Sequence, residues 1–556
     1  MKIPVKLLCI VITAIIATSF IAFRDSNSEN AGTVFPWKQA GLTERQAVAH
    51  LLSRFTYGAR PGDIDAVMKM GLEKWFRQQL DGNLSDDSLN QLLSDYDALK
   101  LTNAEVVATY PKGAQVLRMA VKDGVINKDS VNKADKKAYK GELKEYLQQN
   151  GMKPQQELFR QFINQKILRA AYSNNQLQEM MTDFWFNHFN VSITKNDCAQ
   201  FIPAYERDVI RPNALGKFED LLVATAKSPA MLLYLDNFSS SGTSDNDSKA
   251  DMQRRNKFIS QQLGDSAMQK MQKARKTQGL NENYAREVME LHTLGVDGGY
   301  TQQDVTNAAR VLTGWTIYPM DDKGFGGGIK KMLDKIGEDK LRARGFVHEG
   351  DFLFAANRHD EGEKTVLGRH FAAGGGYEEG MELLTMLAHH PSTAHFIAGK
   401  IAVRFVSDNP PQSLIDKMAK TFAEKAGDIK QVLLTMVASR EFWSAAAVHA
   451  KTKSPFELAV SAVRSMNGDI RQPYQLFNWI SKMGQKIYYY QAPTGFPDNG
   501  QYWINTGALL ERMNFGLALA AQRIPGIKVD TTALIVDNNK PEAAGVKIGS
   551  PEFQRK

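Results

Sequence analysis

The stretch NENYAREVMELHT, residues 281–293, sets Glu287, Glu290 and His292 among apolar side chains. Carboxylates beside an imidazole can transfer a proton, and two carboxylates with a histidine can hold a divalent cation. On a helix turning about 100° per residue, Tyr284, Val288 and Leu291 form an apolar stripe, and Asn283, Glu287 and Glu290 share the neighbouring polar face. His292 then falls roughly 140° from Glu287, so an undistorted helix cannot bring it to the glutamates. A joint site needs a second segment, or a bend near Gly295, which reads as a left-handed C-cap. The plain alternative is a surface pair between Arg286 and Glu290, worth about 0.2–0.5 kcal/mol.

Two other stretches carry residues of the same types. In FWFNHFNV, residues 184–191, His188 lies in the apolar stripe of Leu177, Met181 and Phe184. A histidine so placed is either a satisfied core residue or, kept neutral by burial, a proton acceptor or metal ligand. In GDFLFAANRHDEGEKTVLGRHF two β-prone pieces flank a polar loop holding His359 and Asp360. GGYTQQDVTNAARVLTGW opens with a capping box, Thr301 with Asp304, and ends at Trp315, which reads as buried at a junction. The histidines of LAHHPSTAHF (His389, His390, His395) read as neighbours of a helix entry at Pro391. The rings of IYYYQAPTGFPDNGQYW (Tyr488, Tyr490, Phe496, Trp503) either stack on a sugar or pack a loop.

The elements that must position these residues are helices. Apolar residues recur at three and four spacing through most segments, Thr43 N-caps TERQAVAHLLSRFTYGARPGD, and Gly58 and Pro61 terminate it. The expected fold is mainly α: a large multi-helix globular domain over 40–525, or two packed subdomains, with one small β-hairpin element near residues 350–370. Lys-rich residues at about 122–151 and polar residues at about 239–278 read as mobile insertions, and 526–556 as a C-terminal tail.

With 69 Lys and Arg against 61 Asp and Glu, the chain of 556 residues carries a formal charge of +8. The opposite charges are interleaved, and the basic stripe or motif of a nucleic-acid binder is absent. Lys2 and Lys6 precede an apolar run followed by Ala17, Thr18 and Ser19, the pattern of a secretory signal cut after Ser19. The apolar stretch continues to Phe23, so residues 1–23 are a signal or an uncleaved anchor, the only membrane contact expected. The expected location is the periplasm or the exterior. Cys198 is the one cysteine outside this leader, so no intrachain disulfide is expected. HExxH, CxxC, GxSxG and Walker-type motifs are absent.

Taken together, FWFNHFNV, NENYAREVMELHTLGVDGGYTQQDV, ARVLTGW, NRHDEGEKTVLG, KSPFELAVSAVR, PTGFPDNGQYW and LLERMNF resemble the bacterial family catalogued as domain of unknown function 1800, over roughly Leu42 to Ala520. The resemblance implies that Asn187, His188, Glu287, Glu290, His292, Asp304, His359 and Asp360 occupy the family's characteristic polar positions. It also implies an exported protein encoded beside a member of the family domain of unknown function 1501, which looks like the sulfatase and alkaline phosphatase superfamily. Many relatives use twin-arginine export, but this leader has no arginine pair. Two readings follow. One is a hydrolase or lyase acting on an envelope or extracellular polymer, with His188, Glu287, Glu290, His359 and Asp360 catalytic and Asn187, Asn283 and His292 supporting. In that reading a divalent metal, if used, would sit on His188, Glu287 and His359. The other is a noncatalytic partner that binds or stabilises an exported sulfatase- or phosphatase-like protein.

Overall fold

The computed structural model describes residues 34–127, 131, 139–195, 198–242, 279–320, 327–534 and 541–556. Residues 1–33, which hold the expected leader, lie outside the described residues, as do 243–278, most of the second expected insertion. No described helix is long and apolar enough to cross a membrane.

The chain is mainly helical. Several of its helices start where side chains satisfy the first free N–H groups. Thr43 with Gln46, Thr102 with Glu105, Thr301 with Asp304 and Ser454 with Glu457 each form a reciprocal capping box. Helix Gln155–Tyr172 is buried on most sides and packs against Pro455–Ser465 and Pro473–Lys482. Helix Gln176–His188 lies beside it and touches Leu72–Asp81 and the segment Tyr205–Ile210. Pro391–Phe405 packs on Gln412–Glu424 and on Val288–Leu294. One apolar cluster runs through these elements, from Phe35 to Ile548.

Strand structure is more dispersed than the single hairpin expected. β1 (Trp315–Ile317), β2 (Val347–Glu349) and β3 (Phe352–Phe354) form an antiparallel sheet in the order β1-β3-β2, with Trp315 opposite Phe354. β4 (Lys364–Val366) pairs with β5 (Arg369–Phe371), and β6 (Asp469–Ile470) with β7 (Ile527–Lys528). Trp315 is buried, as its position at a junction predicts.

Parts of both peripheral stretches carry packed helices. Within the first stretch read as an insertion, Lys140–Gln149 is a helix whose buried Tyr146 packs in a small apolar cluster with Val116 and Ala120. Its hydroxyl donates to Asp123 at 2.5 Å. The segment read as a tail is also packed: Pro541–Gly549 lies along helix Thr506–Ala520, with Ala544 and Ile548 buried. Beyond it, Lys556 exchanges main-chain hydrogen bonds with Lys451 at 2.8 and 3.2 Å.

Candidate functional site

The helix of the NENYAREVMELHT stretch does not stay α-helical. It is α from Glu282 to Glu287, then widens to a π-helix over Val288–Leu294, with the Thr293 hydroxyl donating to the Val288 carbonyl at 2.6 Å. Gly295 ends it at φ 83° and ψ 165°, a positive φ but not the left-handed helical cap expected. Short π segments recur at functional sites because an inserted residue re-aims the side chains around it.

Glu287 is half-buried, and no described residue hydrogen-bonds or ion-pairs with its carboxyl. Burial first, then repulsion from Glu290, push that carboxyl up to about 7, against the opposing pull of Arg286. The expected Arg286–Glu290 pair does not form: Arg286 donates to Gln302 at 2.6 Å, and Glu290 accepts from the Tyr300 hydroxyl at 2.8 Å. Asn283 is exposed, its main-chain N–H capped by the Asn281 side chain at 2.9 Å.

The histidines lie elsewhere and are sealed. His188 Nε2 is 3.0 Å from the main-chain oxygen of His292, and the two imidazole centroids are 6.2 Å apart among Phe184, Trp185 and Phe189. Burial lowers His292 to about 3 and holds His188 well below the usual histidine range, so both are neutral. His359 Nδ1 is 3.0 Å from the Thr313 carbonyl oxygen, and its Nε2 is 3.4 Å from Glu379. Glu379 also accepts from buried Lys364 at 2.6 Å, and Asp360 receives two hydrogen bonds of 3.0 Å from Arg310. Asp304 adds to its capping box a bond from the Leu367 N–H at 2.7 Å, tying helix Gln302–Val311 to the β4–β5 hairpin.

These contacts thus place Glu287 and Glu290 in one group, His188 and His292 in a second, and His359 and Asp360 in a third. The structure does not bring His188 or His359 to Glu287 by any hydrogen bond or ion pair among the described residues. Nor does any group of three or more His, Cys, Asp or Glu side chains among them stand ready to hold a metal ion. His389 pairs with Glu219 at 2.9 Å, while His395 lies 3.7 Å from Asp416.

A polar recess forms where three of the motif stretches meet. FWFNHFNV supplies Phe184 and Asn187, KSPFELAVSAVR supplies Glu457, and PTGFPDNGQYW supplies Phe496, Asp498 and Trp503. Asn187 acts there as a clamp, its Nδ2 donating to the Phe496 carbonyl at 2.8 Å and its Oδ1 accepting from the Phe496 N–H at 2.7 Å. Behind the aromatic wall lies a chain of ion pairs. Lys166 reaches Asp183 at 3.0 Å and Glu206 at 3.1 Å. Arg404 reaches Glu457 at 3.0 Å, Asp183 at 3.5 Å and Asp498 at 3.7 Å. Lys556 pairs with Glu457, and Lys451 with Asp408. Trp503 is buried against Phe496, with ring centroids 5.7 Å apart, so the rings of this stretch pack a loop.

The charged members of this recess were not evident from the sequence, although two signals pointed to them. Ser454-Pro455-Phe456-Glu457 spells a capping box, and Lys166 sits in FINQKILRAAY, where a buried helix leaves no aqueous face for it.

Gly495 makes the clamp feasible. Its φ is +67°, and an added Cβ would collide with the Asn187 main-chain oxygen. Gly495→Ala is therefore expected to cost about 2–3 kcal/mol, from the left-handed backbone and the displaced loop. Urea unfolding checks this, and a loss under about 0.5 kcal/mol would mean the loop is not held as described.

No curated protein and no solved structure matches the chain. The family model described as protein of unknown function (DUF1800) matches residues 50–554, which takes in nearly all the described helices, the three histidine and carboxylate groups and nearly the whole recess. The chain belongs to that family.

Proposed function

We propose that the protein is a hydrolase or lyase in which Glu287 moves the proton, acting outside the cytoplasm on an envelope or extracellular polymer. The observation that supports this reading is the state of Glu287: half-exposed, without a partner among the described residues, and poised near neutrality beside Glu290. A carboxyl that changes charge at about pH 7 is suited to general acid or base work there, typically worth 10²–10⁴-fold in rate. The export part rests on Lys2, Lys6 and the apolar run that follows.

The test is an assay of the purified mature chain on a panel of neutral and acidic polysaccharides, read as new reducing ends or unsaturated products. Glu287→Gln is expected to lower turnover at least about 100-fold with unchanged circular dichroism. The sign of its pH effect is also defined. The folded state keeps the proton up to about pH 7, whereas the ordinary carboxyl loses it near 4.5, so stability falls as pH rises between those values. Glu287→Gln removes that dependence and, after discounting for a group half in water, adds on the order of 1 kcal/mol at pH 8. Equal turnover in the variant and the native chain would defeat the reading.

The sealing of His188, His292 and His359 favours a second reading, the noncatalytic partner of an exported sulfatase- or phosphatase-like protein of the family domain of unknown function 1501. That reading expects no turnover on the panel and co-purification of the two proteins.

A further inference from the structure

The geometry points to an oxyanion-binding site in the recess bounded by Asn187, Arg404, Lys451, Thr452 and Asp498, taking a phosphate, sulfate or carboxylate group. It does not depend on Glu287. The first ground is a charge imbalance. Around the recess Lys166, Arg404, Lys451 and Lys556 are buried, with Arg54 and Arg512 fully enclosed behind them and Lys453 alongside. These seven cations meet five carboxylates, Asp183, Glu206, Asp408, Glu457 and Asp498, an excess of two positive charges that lies with Arg54, Arg512 and Lys453 behind the lining, since Lys166, Arg404, Lys451 and Lys556 are each ion-paired. A terminal carboxylate on Lys556 would still leave an excess of one. Buried charge without a counter-charge is costly, and a bound anion supplies what the fold omits.

Unmet donors give the second ground. Arg404, which lines the recess, has Nε and Nη2 without a hydrogen bond: Nη2 is 3.0 Å from Glu457 but outside hydrogen-bonding geometry. Behind it, Arg54 Nε and Nη1 and Arg512 Nε are likewise unmet. Guanidinium groups with free edges are the usual partners of oxyanions. Burial also pulls Arg54 to about 9, Arg512 to about 10 and Lys453 to about 8, the direction expected of cations short of negative charge, whereas Glu457, Asp498 and Asp183 outweigh burial at Arg404 and hold it above the usual guanidinium range. The third ground is size. The free cavity is about 50 Å³, room for one oxyanion group, with Phe186, Phe496 and Trp503 in its walls.

Titration calorimetry of the full chain at pH 7, with sodium sulfate, phosphate and acetate each against chloride at equal ionic strength, tests the site. Saturable binding of at least one oxyanion is expected. Arg404→Gln should weaken it at least tenfold, and Asp498→Asn, which removes a competing carboxylate, should tighten it several-fold. The opposite signs of the two variants separate a site from general salt effects. Because Arg404→Gln removes a buried charge, Asp498→Asn stands as the independent arm if that variant fails to fold. No saturable binding of any probe, or binding that Asp498→Asn leaves unchanged or weakens, overturns the proposal.

Discussion

Lowering the pH from 7 to 5 is expected to destabilise the protein steeply, above the range in which ordinary carboxylates protonate. Three histidines are buried in neutral form. Burial, then Arg54, brings His50 down to about 3. Burial, then Lys400 and His292, holds His188 well below the usual range, and burial brings His292 to about 3. In the unfolded chain each titrates near 6.5. Their folded values are depressed, so the unfolded state binds the extra protons, and stability is full above 6.5 and lost as pH falls toward 3. Each histidine contributes about 1.4 kcal/mol per pH unit, and the three together about 4 kcal/mol per unit. Glu287 works in the opposite direction between pH 7 and 4.5, by only about 1 kcal/mol after discounting for its exposure. A native stability of about 5–15 kcal/mol would be exhausted within roughly two to four units. Urea midpoints taken from pH 7 to 5 should drop steeply, and His292→Gln should flatten the drop by about one third. A midpoint that does not move across that range contradicts the sealed, neutral histidines.

The same residues show what the sequence makes legible. Placing His188 in an apolar stripe was enough to predict burial and neutrality, because helical periodicity is a local property. The N-cap at Thr43 and the capping box at Thr301 were readable for the same reason: donor and acceptor lie three residues apart. Three-residue strands such as Phe352–Phe354 are too short for alternation to register, and so three small sheets read as one hairpin. The π segment at Val288–Leu294 escaped because a fixed 100° step assumes α geometry throughout. Ala544 and Ile548 are spaced among Gly, Asn and Lys, a composition that looks like a tail until Thr506–Ala520 offers them a surface, and Ile527 pairs instead with Ile470. The recess was the hardest to foresee. Asp183 and Arg404 each resemble a surface residue within their own helix, the local signals at Lys166 and Glu457 name no partner, and only tertiary packing joins the four into a buried network.

That network sets the largest expected effect of a single substitution. Glu457 is the N3 residue of its capping box, accepting from the Ser454 N–H at 2.9 Å, and it also meets Arg404 at 3.0 Å and Lys556. Burial acts to raise its carboxyl, but the charges of Arg404 and Lys556 outweigh burial and hold it well below the usual carboxylate range. Glu457→Gln keeps the shape and can keep the bond to Ser454, since glutamine serves at N3 of a capping box. It removes only the charge, leaving Arg404 and Lys556 buried beside one carboxylate fewer. A loss of about 3–5 kcal/mol is expected, the usual result of deleting one partner of a buried pair. Glu457→Ala should cost about 1 kcal/mol more, which measures the cap separately from the charge. Adding Lys556→Met to Glu457→Gln should recover part of the loss, because the stranded ammonium goes with its partner. A loss below about 1 kcal/mol in Glu457→Gln would show that the pair is solvated rather than sealed. Saturating sulfate should restore more stability to Glu457→Gln than to the native chain. Removing one carboxylate widens the same positive excess that the recess offers to an anion, so stability and ligand binding there draw on a single balance of charge.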